Sequence, residues 1–271
     1  MDVVSRLGAL LAQADFPPEE AALLIAAEEY PGLDPQAYLD RLDAMAGEVG
    51  PRLADELDPE RLVGILNAYL FEDLGFRGNI REYYDPRNSY LNEVLDRRLG
   101  LPITLAMVYI AVGRRLGLPV AGVSFPGHFL VTYRATPQPL FLDPFNHGRV
   151  LRATDFRLLA IQRHGLVTVE PHDLAPAAPH AIVARLLRNL RRIYTARQDL
   201  ARAVRCAERL LLAEDAPEER RDLGLLLSAA GRPHEAIPHL ERYLAGVPDA
   251  QDREEVAELL RRLRAAVHGL N

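Results

Sequence analysis

The chain has 271 residues, 49% hydrophobic and 26% charged, proportions of an ordinary globular protein with room for one large or two medium domains. Its 32 basic side chains against 38 acidic ones leave a net charge of −6, so there is no electrostatic footing for DNA or RNA and nucleic acid is not an expected partner. A single cysteine, Cys206, excludes an internal disulfide framework and reads as a small buried apolar residue.

The first 75 or so residues read as helices. DFPPEEAALLIAAEEYPG (15–32) predicts a helix capped by Asp15, with prolines in its first turn, acids just after, and Leu23, Leu24, Ala27 and Tyr30 at helical spacing. Tyr30-Pro31-Gly32 stops it. PQAYLDRLDAMAGEV (35–49) is a second amphipathic helix, and DPERLVGILNAYLFEDLGF (58–76) a third, capped by Asp58 and closed near Gly75. Nothing at the N-terminus resembles a signal peptide.

A polar, turn-rich stretch follows, RGNIREYYDPRNSYLNEVLDRRLG (77–100), whose end turns helical with Leu91, Val94, Leu95 and Leu99 on one face and Gly100 as the stop. Pro102 opens the next helix, to about Leu116, which is apolar nearly all round and is therefore expected to be buried. The run 99–113 is too short to span a membrane and is broken by Pro102, so the expectation is a soluble, cytoplasmic protein with no membrane partner.

Then the period changes. VAGVSFPGHFLVTYR (120–134) and QPLFLDPF (138–145) read as strands, and 147–165 as a short strand and a helix. Helices, a buried helix and antiparallel strands make an α+β domain, expected over 1–170 with a helical lead-in to 75 and a core from 76. PHDLAPAAPH (171–180) has a linker composition. From 181 to 271 everything reads as helix, and ARAVRCAERLLLAEDAP (201–217) aligns with HEAIPHLERYLAGVPDA (234–250): Ala203 with Ala236, Glu208 with Glu241, Leu211 with Leu244. The offset is 33 residues, close to the 34 of a tetratricopeptide repeat, with Gly231 at a turn between helices. The arginines of 184–205 recur at helical spacing and predict a solvated face.

The chemistry concentrates in PGHFLVTYRATPQPLFLDPFNHG (126–148), where His128 precedes one apolar run and Asp143 ends the next. A histidine base and an acid that fixes its tautomer are two thirds of a nucleophilic triad, and the N-terminus of a buried helix is where a thiol nucleophile would sit.

GLPITLAMVYIAVGRRLGLPVAGVSFPGHFLV, followed by FLDPF, resembles the transglutaminase-like core, and with NSYLNEVLDRRLGLPITL and the C-terminal repeats the arrangement is similar to the SirB-like branch of that superfamily. The resemblance covers nearly the full chain and implies a papain-like core with a small antiparallel sheet, and His128 and Asp143 as the histidine and aspartate of its triad. Arg115-Leu116-Gly117-Leu118-Pro119 matches the family's turn, and counting back from it puts Pro102 where the cysteine belongs.

A pyrrolidine ring has no nucleophilic atom. Thr104 is the nearby hydroxyl, but it lies two residues on, about 200° round a helix, and a threonine needs strong activation. Asn88, Ser89, Asn92 and Pro102 are the expected cleft residues; Asn92 could supply an oxyanion amide, while Asn88 or Ser89 could equally cap the following helix. A metal on His128, Asp143 and His147 lacks any supporting ligand spacing, so neither metal nor cofactor is expected. Two readings follow. The first is a catalytically silent transglutaminase-like protein that binds a protein or peptide partner through its cleft and its repeats. The second is an amide or ester hydrolase or acyl transferase using His128 and Asp143 with Thr104 or a water.

Overall fold

In the computed structural model the described residues are 2–135, 138–164 and 169–268, and the chain divides into two compact units, 1–182 and 183–271. The first unit begins with α1 (Val3–Leu11), α2 (Pro18–Glu29), α3 (Pro35–Leu53) and α4 (Pro59–Asn67), the last continued by a π turn at Ala68–Asp73. Capping follows the sequence where a short polar side chain precedes a proline: Asp34 accepts from the Gln36 N–H and Asp58 from the Arg61 N–H. Asp15 does not cap α2. Pro17 holds the cap position with ψ 112°, because Pro18 behind it forces extended backbone and moves the helix start two residues past the acid.

After β1 (Arg77–Gly78) come a 3₁₀ turn (Pro86–Asn88), α5 (Leu91–Arg97) and β2 (Leu99–Gly100), which pairs in parallel with β1. The stop expected at Gly100 falls instead at Arg98, which takes the left-handed conformation with φ 59°. Gly100 is used for close approach: a Cβ there would stand 2.8 Å from Thr104 Oγ1.

The long helix α6 (Pro102–Arg115) is buried from Pro102 through Gly113, as its all-round apolar surface requires. Arg115 at its end is tied to Glu19 Oε1 at 2.9 Å and to Asp43, joining α6 to α2 and α3. A four-stranded antiparallel sheet follows in the order β3 (Val120–Val123), β4 (Leu130–Tyr133), β5 (Leu140–Asp143) and β6 (Arg149–Leu151). The single strand expected over 120–134 is two, broken by a turn through Pro126 and Gly127, whose φ is 64°. Helix α6 packs on β3 and β4, while Leu130 and Leu151 of the sheet join Phe156 and Ala160 of α7 (Ala153–His164) in a hydrophobic cluster.

Residues 171–180 hold a 3₁₀ turn at Pro171–Leu174, a bridge from Pro176 to Val123 and the start of α8 (Pro179–Ala196). Beyond it lie α9 (Leu200–Ala213), α10 (Pro217–Ala229), α11 (Pro233–Gly246) and α12 (Arg253–His268). The repeat alignment holds in space: α9 and α11 start 33 residues apart, and Ala203 and Ala236 are both fully buried. The arginines of α8 are not merely a solvated face. Glu219, itself buried, accepts from Arg188 at 2.6 Å and from Arg191 at 2.5 Å, so two of them are packed into ion pairs inside the unit.

Candidate active site

His128 lies on the turn that feeds β4, not on a strand, and Asp143 closes β5. The two strands are hydrogen-bonded neighbours, so the turn before one and the end of the other meet. His128 Nε2 stands 2.9 Å from Asp143 Oδ1, with the ring 0% and the carboxylate 2% exposed. The same Oδ1 accepts the backbone N–H groups of Phe145 and Asn146, at 3.1 and 3.3 Å. Asn146 Nδ2 donates to Oδ2 at 2.7 Å, and the Gly148 N–H to the Asp143 carbonyl at 2.8 Å. Asp143 therefore caps the 3₁₀ turn Pro144–Asn146 and holds the histidine with the same carboxylate.

Burial works against the charged form of Asp143, but hydrogen bonds from His128 and Asn146 and the pull of the ring outweigh it and keep the carboxyl below its usual range. An ionised acceptor facing Nε2 places a proton on that nitrogen. Nδ1 meets no hydrogen-bond partner among the described residues. The ring faces the edge of Phe145, 6.1 Å away between centroids.

Pro102 is the first residue of α6 and is buried. The nearby hydroxyl is already committed: Thr104 Oγ1 accepts the Leu101 N–H at 2.9 Å and donates to the Asn88 carbonyl at 2.8 Å, in a side chain with 0% exposure. It closes the first turn of α6 as an N3 residue reaching back to the cap.

The other expected cleft residues form a buried polar cluster. Asn79 Nδ2 donates to Asn88 Oδ1 at 3.0 Å, and Asn88 Nδ2 donates to the Glu82 carbonyl at 2.7 Å. Neither Asn88 nor Ser89 caps α5, whose cap position belongs to Tyr90. Ser89 Oγ and Asn92 Oδ1 are buried without a partner among the described residues. His147 sits in the left-handed conformation with its ring edge-on to Phe71, at 6.3 Å. No three His, Cys, Asp or Glu side chains gather as a metal-ligand set among the described residues. Cys206 is buried on α9, in the second unit.

Two contributors escape a sequence reading. Asn79 meets Asn88 across a loop, which no spacing rule announces. Asn146 follows Asp143-Pro144, a turn signal that could have marked it.

A helical lead-in, a buried helix laid on a small antiparallel sheet and a sealed His–Asp pair joining adjacent strands define a transglutaminase-like domain, here followed by tetratricopeptide-type helices. The profile of the transglutaminase-like superfamily matches residues 36–188, and that of the tetratricopeptide repeat matches 190–261. A UPF0162 protein of Xylella fastidiosa is 43% identical over 250 residues, covering 89% of this chain and 88% of its own. One from Pseudomonas aeruginosa is 36% identical over 194 residues, 71% of this chain and 70% of its own. F-box only protein 21 of Mus musculus is 38% identical over 102 residues, which are 38% of this chain and 16% of that protein. The chain belongs to the transglutaminase-like superfamily and, within it, to the UPF0162 proteins. No helix among the described residues is long and apolar enough to cross a membrane.

Proposed function

We propose that the protein is a protein-binding scaffold: a transglutaminase-like domain without acyl-transfer chemistry, joined after the Pro/Ala-rich stretch 171–180 to repeats that hold a segment of a partner protein. One observation carries the reading. The helix start that should offer a nucleophile to His128 begins with Pro102, and the hydroxyl beside it, on Thr104, is spent on Leu101 and Asn88. The His128–Asp143 pair is sealed from solvent, which suits a lock between two strands and a turn better than a base that must reach substrate. The repeats supply the surface for a partner, as arrays of this type do. A cytoplasmic setting belongs to the same reading, supported by a lone buried thiol that asks for no oxidising compartment.

The test is a pull-down with the full chain beside a variant of the repeats. Leu212 on α9 and Leu225 on α10 are 46% and 38% exposed, so Leu212→Glu and Leu225→Glu alter the surface without opening the core. Recovery of one stoichiometric partner by the wild type alone is the expected result. Recovery of nothing, or equal recovery by both, contradicts the reading.

A second reading, hydrolysis through a water activated by His128, draws on one observation: Nδ1, the ring nitrogen that does not face Asp143, is unpartnered among the described residues. It requires the site to open to water and substrate.

A further inference from the structure

The loop between β1 and the 3₁₀ turn at Pro86 shows apolar side chains to solvent from a stiff base. Ile80 is 77% exposed and Tyr84 62%, four residues apart. Beside them lies a depression of about 800 Å³ lined by Arg77, Asn79, Ile80, Arg81, Glu82 and Leu99.

Two sets of contacts hold this loop in place. Asn79 and Asn88, both buried, join by their side-chain amides at 3.0 Å; Asn88 also holds the Glu82 carbonyl at 2.7 Å, and Asn79 Oδ1 accepts the Glu82 N–H at 3.1 Å. The second set is a ladder of rings running inward from the surface. Tyr84 meets Tyr83 at 5.3 Å, Tyr83 meets Phe145 at 6.0 Å, and Phe145 meets His128 at 6.1 Å. A loop braced in this way loses little freedom when something docks on it, the condition under which an exposed aromatic and its neighbours become binding anchors.

Charge selects the occupant. Most arginines of α5 and of the turn before it are paired or bonded: Arg87 with Asp85 at 2.6 Å, Arg97 with Asp85 at 3.9 Å, and Arg98 with the Leu74 carbonyl at 2.5 Å. Arg77 and Arg81 are exposed and have no ion-pair partner among the described residues, although acids outnumber arginines in this unit. Glu82 supplies the one negative side chain in the lining.

We propose that residues 77–84 form a docking surface for a segment of a partner protein that carries a carboxylate beside an apolar or aromatic side chain. The apolar group packs on Ile80 and Tyr84, and the carboxylate is taken by the guanidinium groups of Arg77 and Arg81. The residues of the site all belong to the first unit.

The experiment selects a phage-displayed random-peptide library on the full chain. Parallel selections use Ile80→Ser/Tyr84→Ser and Arg77→Gln/Arg81→Gln. All four side chains are exposed, and an unchanged melting temperature checks that each variant folds. The expected result is a class of acidic, Phe- or Leu-bearing peptides that enriches on the wild type and is lost from both variants. Fluorescence polarisation with the best such peptide should show binding at least about tenfold weaker for either variant, and unaltered for a substitution at the exposed Leu57, Leu57→Ser. The proposal is overturned if no peptide class depends on these four side chains, or if the dependent class lacks carboxylates. It is also overturned if the wild type self-associates and these substitutions abolish that, which would make a second copy the occupant.

Discussion

Thr104 Oγ1 and the carbonyl oxygen of Asn88 lie 2.8 Å apart, a hydrogen bond spanning 16 residues that ties the first turn of α6 to the turn before α5. The same oxygen accepts the Leu101 N–H, so one buried hydroxyl satisfies a helix end and a loop carbonyl together. This is a structural employment for the hydroxyl on the first turn of α6.

Thr104→Val removes that hydroxyl at nearly constant volume and leaves a buried N–H and a buried carbonyl unpaired. A stability loss of about 1–3 kcal/mol is expected in urea unfolding, with Thr104→Ser recovering most of it.

The depressed pKa of Asp143 fixes the sign of a pH dependence. A carboxyl lower in the folded than in the unfolded chain contributes stability above the unfolded value, about 3.9, and loses it as pH falls through the folded value. The stability gap between wild type and Asp143→Asn should therefore be widest near neutral pH and narrow below about pH 4. Chemical denaturation of both proteins across that range checks it; a gap that widens in acid contradicts the assignment.

Gly78 is required by packing. A Cβ there would lie 2.6 Å from the ring of Phe145, which is itself fixed by the turn that Asp143 caps. Gly78→Ala should cost about 1–3 kcal/mol by overpacking and should shift the NMR signals of both Phe145 and His128.

In the repeats, Gly224 lets α10 approach α11, because a Cβ would stand 2.5 Å from Cδ2 of the fully buried Leu240. Gly224→Ala in a helix interior would ordinarily stabilise by up to about 1 kcal/mol. Here a net loss is expected, and Leu240→Val in the same chain should relieve part of it, a double-mutant cycle measurable by thermal melting.

The sequence announces these features unevenly. The burial of α6, the repeat offset and the Asp58 cap rest on periodicity and local chemistry, and those signals survive folding. The break between β3 and β4 was written in Pro126-Gly127 but masked by the apolar residues on either side. Pro18 overrides Asp15, and Arg98 rather than Gly100 takes the left-handed turn, while Gly100 serves the close approach to Thr104. At the site, His128 and Asp143 were legible as a pair, since a neighbouring-strand arrangement brings them together. The Asn79–Asn88 brace and the role of Thr104 were not, because long-range side-chain hydrogen bonds leave no period in the sequence.

On the proposed function, the retained imidazole has structural work and no turnover. The direct measurement compares wild type with His128→Gln, each verified as folded, across ester, amide and glutamine acyl-donor substrates with water and amine acceptors. Identical background rates for the two proteins and a lower melting temperature for the variant are expected. Saturable turnover by the wild type that disappears in folded His128→Gln would contradict it.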